Sequence, residues 1–134
     1  MAKEVQEAYC GTYKINIDVL QVRDNIRECD SLFLRNLKKQ MEEFADEAYQ
    51  PLCVVVEDVE CSVDFDSKKI NGYTYGVIGG QHCLEATKEI SKSTKYSSDK
   101  RFKSRNCVVY CGLSAEQKQW LAVKHNSTGN TDML

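Results

Sequence analysis

The sequence predicts a single α+β domain in which a small mixed sheet of about four strands packs with about three helices. Short runs rich in β-branched residues alternate along the chain with amphipathic, helix-like runs. At 134 residues the chain is long enough to bury one core, and no internal repeat or linker divides it. We therefore expect one domain over residues 1–134, with its core at about residues 12–127.

Four segments read as strands. Residues 13–19 alternate apolar and polar side chains, as a half-buried strand does. Residues 52–56 form an unbroken apolar run after Pro51, the one proline, which predicts burial on both faces. Asn71-Gly72 is a strong turn signal and places a third strand at residues 73–78, paired with the second across a long hairpin. Residues 106–111 form the fourth strand.

Three segments read as helices. Asp30 or Ser31 can cap the first, and one of its faces is apolar, with Phe33, Leu34, Leu37, Met41 and Phe44. The second runs over residues 81–91. Ser114 and Gln117 form a capping box for the third, which continues to about Lys124. We expect a mobile loop at residues 93–104, after the second helix, and a fraying tail at residues 126–134, after the third.

The charge is nearly balanced overall but unevenly distributed. The formal net charge of −2 gives no global field that would attract nucleic acid or an anionic membrane. Nine acidic residues and no Lys or Arg lie between residues 41 and 66, whereas seven bases face two acids between residues 88 and 105. That basic segment is either a solvated loop or a contact surface for a polyanion such as DNA. The candidate DNA contacts are Lys100, Arg101, Lys103 and Arg105.

Composition also predicts the cellular compartment and the state of the cysteines. No apolar run approaches the roughly 20 residues of a membrane span, and the charged N-terminus does not resemble a signal peptide, so we expect an intracellular protein, cytoplasmic or nuclear. Seven cysteines are scattered without a CxxC pair. They predict reduced thiols and neither a structural zinc nor another metal site. Cys107 and Cys111 are interpreted as core residues, and the acidic run at residues 57–66 as a solvated hairpin end.

The most informative motif is the strand-to-helix junction at residues 75–86, in which an apolar strand runs into Gly79-Gly80 and a helix follows at once. Backbone amides at a helix start, together with the positive end of the helix dipole, bind phosphate readily. The same two glycines are also compatible with an ordinary tight turn. His82 is either a phosphate ligand or a surface residue, and Cys83 is either a reactive thiol or a buried, inert one.

With its neighbours, this motif resembles the nucleotide-binding domain shared by ParB-type partition proteins and sulfiredoxins. The resemblance covers about residues 12–127: an arginine (Arg27) before a helix, a buried strand after Pro51, the glycine box, and Asn126 after the last helix. Gly80-Gln81-His82-Cys83 matches the Gly-Glu-Arg-Arg or Gly-His-Arg-Arg box of ParB domains. Gly79-Gly80-Gln81-His82-Cys83 matches the Gly-Gly-Cys-His-Arg box of sulfiredoxins.

The resemblance implies a nucleotide or phosphate ligand at the glycine turn. A nucleoside triphosphate, CTP or ATP with Mg²⁺, would place its phosphates over Gly79, Gly80, Gln81 and His82, and Arg27 and Asn126 would help to orient it. As in the partition proteins, the ligand would then drive a conformational switch or a change in assembly, with a homodimer as one such assembly.

The chain departs from both families where chemistry would occur. Gln81 replaces the catalytic cysteine of sulfiredoxins, and glutamine cannot act as that nucleophile, so we do not expect sulfiredoxin activity. Cys83 replaces the arginine that grips phosphate in both families. His125 replaces the glutamate that helps to hold magnesium in ParB domains, which puts the metal site in doubt. No general base stands out, and we assign no hydrolysis.

Two alternatives from other classes stay open. One is a DNA-binding or nuclease-related module of a larger ParB-like protein, for which a salt-dependent shift on DNA would be the discriminating observation. The other is a degenerate scaffold that works through protein contacts. The lost arginine and glutamate favour it, and failure to bind any nucleotide would support it.

Overall fold

The computed structural model describes residues 2–22, 31–43 and 51–132. The strands are β1 (Tyr9–Asn16), β2 (Leu20–Gln21), β3 (Leu52–Val56), β4 (Tyr75–Gly79) and β5 (Ser104–Tyr110). The helices are α1 (Ala2–Glu7), α2 (Ser31–Glu43), α3 (Gln81–Lys92) and α4 (Ala115–Asp132). Short 3₁₀ turns occupy several of the connections.

The strands form one mixed sheet in the order β1-β5-β3-β4-β2. β1 is antiparallel to β5, β5 is parallel to β3, β3 is antiparallel to β4, and β4 is parallel to β2. Every residue of β3 and β4 is buried, as expected for strands covered on both faces. The predicted burial of residues 52–56 and their pairing with the third strand are both confirmed.

Helices cover both faces of this sheet. On one face Val54 and Val77 pack with Leu84 of α3. Against the outer side of α3, Leu37 and Met41 of α2 pack on its Ala86 and Ile90. The opposite face of the sheet carries Cys53, Val55 and Ile78, which pack with Val5 of α1 and Leu121 of α4. Because helices cover both faces, the ends of the strands, where helices begin, are the places where polar groups can contact a ligand.

The structure extends the predicted arrangement at both ends of the chain. α1 was not predicted, because its six residues bury only Val5 and are too short to show a helical period; the core therefore begins before residue 12. β1 starts at Tyr9 rather than at residue 13, and Ile17–Val19 is a 3₁₀ turn. α4 continues past Lys124 to Asp132, where a fraying tail was expected.

The fifth strand, β2, was also absent from the prediction. It has two residues, which pair with Tyr75 and Gly76 of β4. Lys88 of α3 donates a hydrogen bond to the carbonyl of Leu20 at 2.8 Å, so the helix helps to hold this strand in place. Two residues carry no readable alternation, and β2 is defined by its partners rather than by its own pattern.

Several predicted features fall outside what the structure describes. Asp30 and Phe44, expected at the two ends of the α2 region, lie outside the described residues, and so does Arg27. The side chain of Phe33 is likewise not described, whereas Leu37 and Met41 are buried as predicted.

Residues 93–104 contain hydrophobic anchors that their composition did not indicate. Lys100–Phe102 is a 3₁₀ turn capped by the Asp99 side chain, and Phe102 is buried in the same cluster as α2 and α3. The rings of Tyr96 and Phe102 meet edge-on at 5.2 Å. The segment is irregular, as predicted, but it is attached to the core by these two rings.

Two further features bear on function classes. Among the described residues, none of the helices combines the length and apolar character needed to cross a bilayer. Within the same residues, His, Cys, Asp and Glu side chains do not gather in threes in a way that could hold a metal ion.

Candidate functional site

The glycine motif forms the turn between β4 and α3. β4 ends at Gly79, α3 begins at Gln81, and Gly80 between them has φ +87° and ψ +23°, a left-handed conformation that favours glycine. The amide of Leu84 donates the first helical hydrogen bond to the carbonyl of Gly80 at 3.1 Å. Gly80 has no side chain, so the start of this 12-residue helix receives no side-chain cap from it.

Both glycines are also required by packing. A Cβ on Gly80 would lie 2.5 Å from Cδ2 of Leu52, on the face of the sheet that α3 covers. A Cβ on Gly79 would lie 2.7 Å from the ring of His125. Gly79 faces α4 because a bulge in the β3–β4 ladder pairs it with Cys53, whose side chain packs on the α4 side. Each glycine is thus packed against a side chain, one on each face of the sheet.

His125 is a residue of this site that the sequence reasoning did not select. Its Nε2 lies 3.0 Å from the carbonyl oxygen of Pro51, which can only accept, so Nε2 carries the hydrogen. Its Nδ1 is buried and makes no hydrogen bond to the described residues. The sequence marked His125 only as a departure from the ParB pattern; its position over Gly79 depends on how α4 packs.

The next two motif residues lie on the first turn of α3. Gln81 is half-buried, and its side-chain amide donates to the carbonyl of Val77 in the preceding strand β4 at 3.3 Å. His82 is also half-buried. Gly79, Gly80, Gln81 and His82 are therefore contiguous at the turn, as their sequence positions require.

Arg105 of β5 contributes positive charge near the turn. Burial raises the pKa of the Cys83 thiol, and the nearby Arg105 guanidinium partly offsets that rise. Arg105 lies here because β5 is parallel to β3 and β3 is antiparallel to β4, so β5 starts at the end of the sheet where β4 ends. The sequence reasoning counted Arg105 among DNA contacts, and its separation from residue 83 along the chain gave no signal of this proximity.

The remaining candidate residues are three bases of the segment after α3 and Asn126. Arg101 makes a bidentate ion pair with Asp99, with an Nη2–Oδ2 distance of 2.7 Å, and the hydrogen bonds from Arg101 lower the pKa of Asp99. Lys100 is the first residue of the same 3₁₀ turn, and Lys103 follows it. Asn126 follows His125 in α4, but its side chain is not among those described.

No protein-family model matches the chain, and no curated protein matches its sequence. Among solved structures, the chain is similar to the C-terminally truncated chromosome-partitioning protein ParB from Caulobacter crescentus, which was crystallised with CTP-gamma-S. The TM-score is 0.59 at 15% sequence identity, over 88% of this chain and 53% of that one. The chain thus spans about half the length of the ParB structure.

This similarity defines the class of the domain: it has an α+β, ParB-like fold, as the sequence predicted. At this level of identity the likeness concerns the fold. The degenerate phosphate-binding box stays a prediction, and it depends on the local geometry of the turn.

Proposed function

We propose that this domain binds a nucleotide or another phosphate ligand at the turn between β4 and α3. The observation that carries the proposal is the position of Arg105 at the start of β5, at the end of the sheet where β4 ends, from which its charge lowers the pKa of Cys83. Cys83 lies on the first turn of a helix that Gly80 leaves without a side-chain cap. Both the helix dipole and the guanidinium favour an anion at this point. Arg105 would thus replace the arginine that the glycine box lacks.

His125 would supply a second polar contact. Its Nδ1 is buried at the same turn without a hydrogen bond to the described residues. A neutral ring could accept a hydrogen bond from a ligand hydroxyl or amino group, and a protonated ring could donate one to a phosphate oxygen. A ligand would thereby satisfy a buried atom that the protein leaves unsatisfied.

CTP is the first ligand to test, because the structural neighbour is a complex with CTP-gamma-S. Mg²⁺ fits the described residues of this turn poorly. Their side chains offer imidazole, thiol, guanidinium and one amide, whereas Mg²⁺ prefers carboxylate and phosphate oxygens. We expect a triphosphate to bind here with little dependence on Mg²⁺, and bound nucleotide to act as a switch.

Calorimetric titration with CTP, ATP, GTP and UTP, each with and without Mg²⁺, tests the proposal. Arg105→Gln should weaken binding about 10- to 100-fold, because a charge-assisted hydrogen bond contributes about 1.5–3 kcal/mol. Lys3→Gln makes the same charge change on α1, which precedes β1 at the opposite end of the sheet. This variant should bind nucleotide like the unmodified domain.

Two results would contradict the proposal: no heat and no thermal shift with any of the four nucleotides, or equal affinity of Arg105→Gln and Lys3→Gln. In the first event, a salt-dependent shift on DNA would support the DNA-binding alternative. Its absence would favour a scaffold that works through protein contacts.

A further inference from the structure

Three cysteines from separate segments lie at the end of the sheet opposite the glycine turn. Cys10 lies near the start of β1, Cys111 directly follows β5, and Cys61 lies in the connection between β3 and β4. No two of them are close in the sequence. Their common location follows from the pairing of β1 with β5 and from the path of the connection across these strands.

The first two thiols are brought together by the β1–β5 ladder. Tyr9 pairs with Tyr110, and the amide of Cys111 donates to the carbonyl of Ala8 at 3.0 Å. The register shifts between Tyr9 and Gly11, which makes Cys10 the bulged residue. The thiol of Cys10 donates to that same carbonyl of Ala8 at 3.6 Å, and Cys10 and Cys111 belong to the same apolar cluster.

The third thiol is placed by the residues on either side of it. The carbonyl oxygen of Glu60 presses on Gly112, so closely that no Cβ would fit at that position. The hydroxyl of Ser62 donates to the carbonyl of Glu7 at 3.4 Å. Cys61 is therefore held between a neighbour of Cys111 and the segment that leads into β1, and its charge acts on both other thiols.

The three thiols differ in exposure. Cys61 is exposed, Cys10 is half-buried, and Cys111 is 2% exposed. Burial raises the pKa of Cys10 to about 12 and also raises that of Cys111. The neighbouring Cys111 adds to the rise in the pKa of Cys10, whereas Cys10 opposes the rise in the pKa of Cys111.

We propose that Cys61 and Cys111 form a peroxide-sensitive disulfide. The thiolate of Cys61 attacks one oxygen of hydrogen peroxide, the O–O bond breaks, and Cys61 becomes a sulfenic acid while hydroxide takes up a proton and leaves as water. The Cys111 thiolate then attacks the Cys61 sulfur and forms the S–S bond. A second water leaves; two thiols have been oxidised and one peroxide reduced.

The disulfide would close one wall of the cavity at this end of the sheet. A cavity of about 510 Å³ lies between the end of β3 and the start of α4, and Val59, Glu60, Gly112 and Leu113 line it. Cys61 and Cys111 each adjoin one of these lining residues. Oxidation would therefore covalently join the loop wall of the cavity to the strand wall.

Peroxide treatment followed by disulfide mapping with mass spectrometry tests this inference. All proteins carry Cys29→Ser, because Cys29 lies outside the described residues. We expect a loss of two hydrogens, a peptide pair that joins Cys61 to Cys111, and a Tm higher by about 5–10 °C from the closed loop. Dithiothreitol should reverse all three.

Single variants separate the roles of the three thiols. Cys61→Ser should abolish the disulfide, and Cys111→Ser should leave a sulfenic acid at Cys61 that dimedone traps. Cys10→Ala should slow disulfide formation about threefold, because it removes the neighbouring thiol that opposes the rise in the Cys111 pKa. Cys53→Ala, which removes a thiol from the opposite face, should form the disulfide at the unchanged rate.

Three outcomes would overturn the inference. They are a disulfide at any other pair, oxidation that ends as sulfinic acid at Cys61 with Cys111 still reduced, and a bond that forms only between two molecules. Nucleotide titration of the oxidised protein tests the nucleotide proposal separately from the disulfide. The glycine turn lies at the other end of the sheet, so a failure of either proposal leaves the other standing.

Discussion

At the scale of single residues, Gly79 and Gly80 serve packing and the turn at the same time. Gly79 accommodates the ring of His125, and Gly80 accommodates Leu52 while adopting a left-handed backbone. A glycine pair at a strand–helix junction is thus explained without any ligand. The anion-binding proposal depends instead on the charge of Arg105 and on the unsatisfied Nδ1 of His125.

Gly80→Ala should lower the free energy of unfolding by about 2–5 kcal/mol. A left-handed conformation costs a residue with a Cβ about 1–2 kcal/mol, and crowding against a packed core side chain costs about 1–3 kcal/mol. Urea denaturation at neutral pH measures the difference.

Gly72→Ala is the matched control, since nothing lies within 4 Å of its added Cβ. It should change the stability by no more than about 0.5 kcal/mol. Equal losses for the two variants would show that Gly80 is not constrained by Leu52 and by its backbone conformation.

At the scale of elements, the candidate site is the end of the sheet that α3 and α4 approach from opposite faces. α3 supplies the helix start, and α4 supplies the ring of His125 over Gly79. The position of α4 depends in part on its own beginning. Ser114 accepts a hydrogen bond from the amide of Gln117 at 3.2 Å, and the Gln117 side chain accepts one from the amide of Ser114 at 2.9 Å.

Ser114→Ala should lower the free energy of unfolding by about 1 kcal/mol, because it leaves a helix-start amide without its side-chain acceptor. Ser114→Asp keeps an acceptor at the same place and should retain most of the stability. Chemical denaturation followed by circular dichroism measures both changes.

Ser98→Ala provides the comparison, as Ser98 is exposed in the irregular segment after α3. We expect a change within about 0.5 kcal/mol. A loss at Ser98 as large as that at Ser114 would argue against a specific capping contribution to α4.

At the scale of the whole molecule, the sheet buries thiols that must stay protonated. Cys53 and Cys107 lie in its centre at 2% and 0% exposure, and burial raises the pKa of each to about 12. Unfolding exposes both to water, where a thiol ionises near pH 9. Above that pH the unfolded state releases protons that the native state retains.

Stability should therefore fall between about pH 9 and 12. Each buried thiol contributes a loss of about 1.4 kcal/mol per pH unit in this window, and its stabilising contribution is fully present below pH 9. Cys53→Ala should make the slope shallower by up to that amount in urea denaturation at a series of alkaline pH values.

Val55→Ala is a suitable control, since it truncates a neighbouring core side chain on the same strand and face without removing a titratable group. It should lower stability equally at each pH. Identical slopes for Cys53→Ala and Val55→Ala would contradict the assigned pKa of Cys53.

Features that depend on local pattern were predictable from the sequence. The burial of residues 52–56, the hairpin pairing of the second and third strands, the start of α3 at Gln81 and the capping box at Ser114 are all confirmed. Each rests on a hydrophobic period or on turn and cap chemistry within a few residues, which the chain expresses before it folds. The resemblance in element order added the ParB-like fold.

Features that depend on contacts between distant segments required the tertiary structure. β2 exists because β4 offers it a parallel partner, and α1 is recognisable because Val5 is buried. The charge of Arg105 acts on Cys83, and the ring of His125 lies over Gly79, because strand order and helix packing bring these residues to the same end of the sheet. Side chains that contact each other across a sheet have no fixed spacing in the sequence. The sequence by itself therefore determined most of the elements and the glycine turn. Only the packing of the sheet decided which charge and which ring lie near that turn.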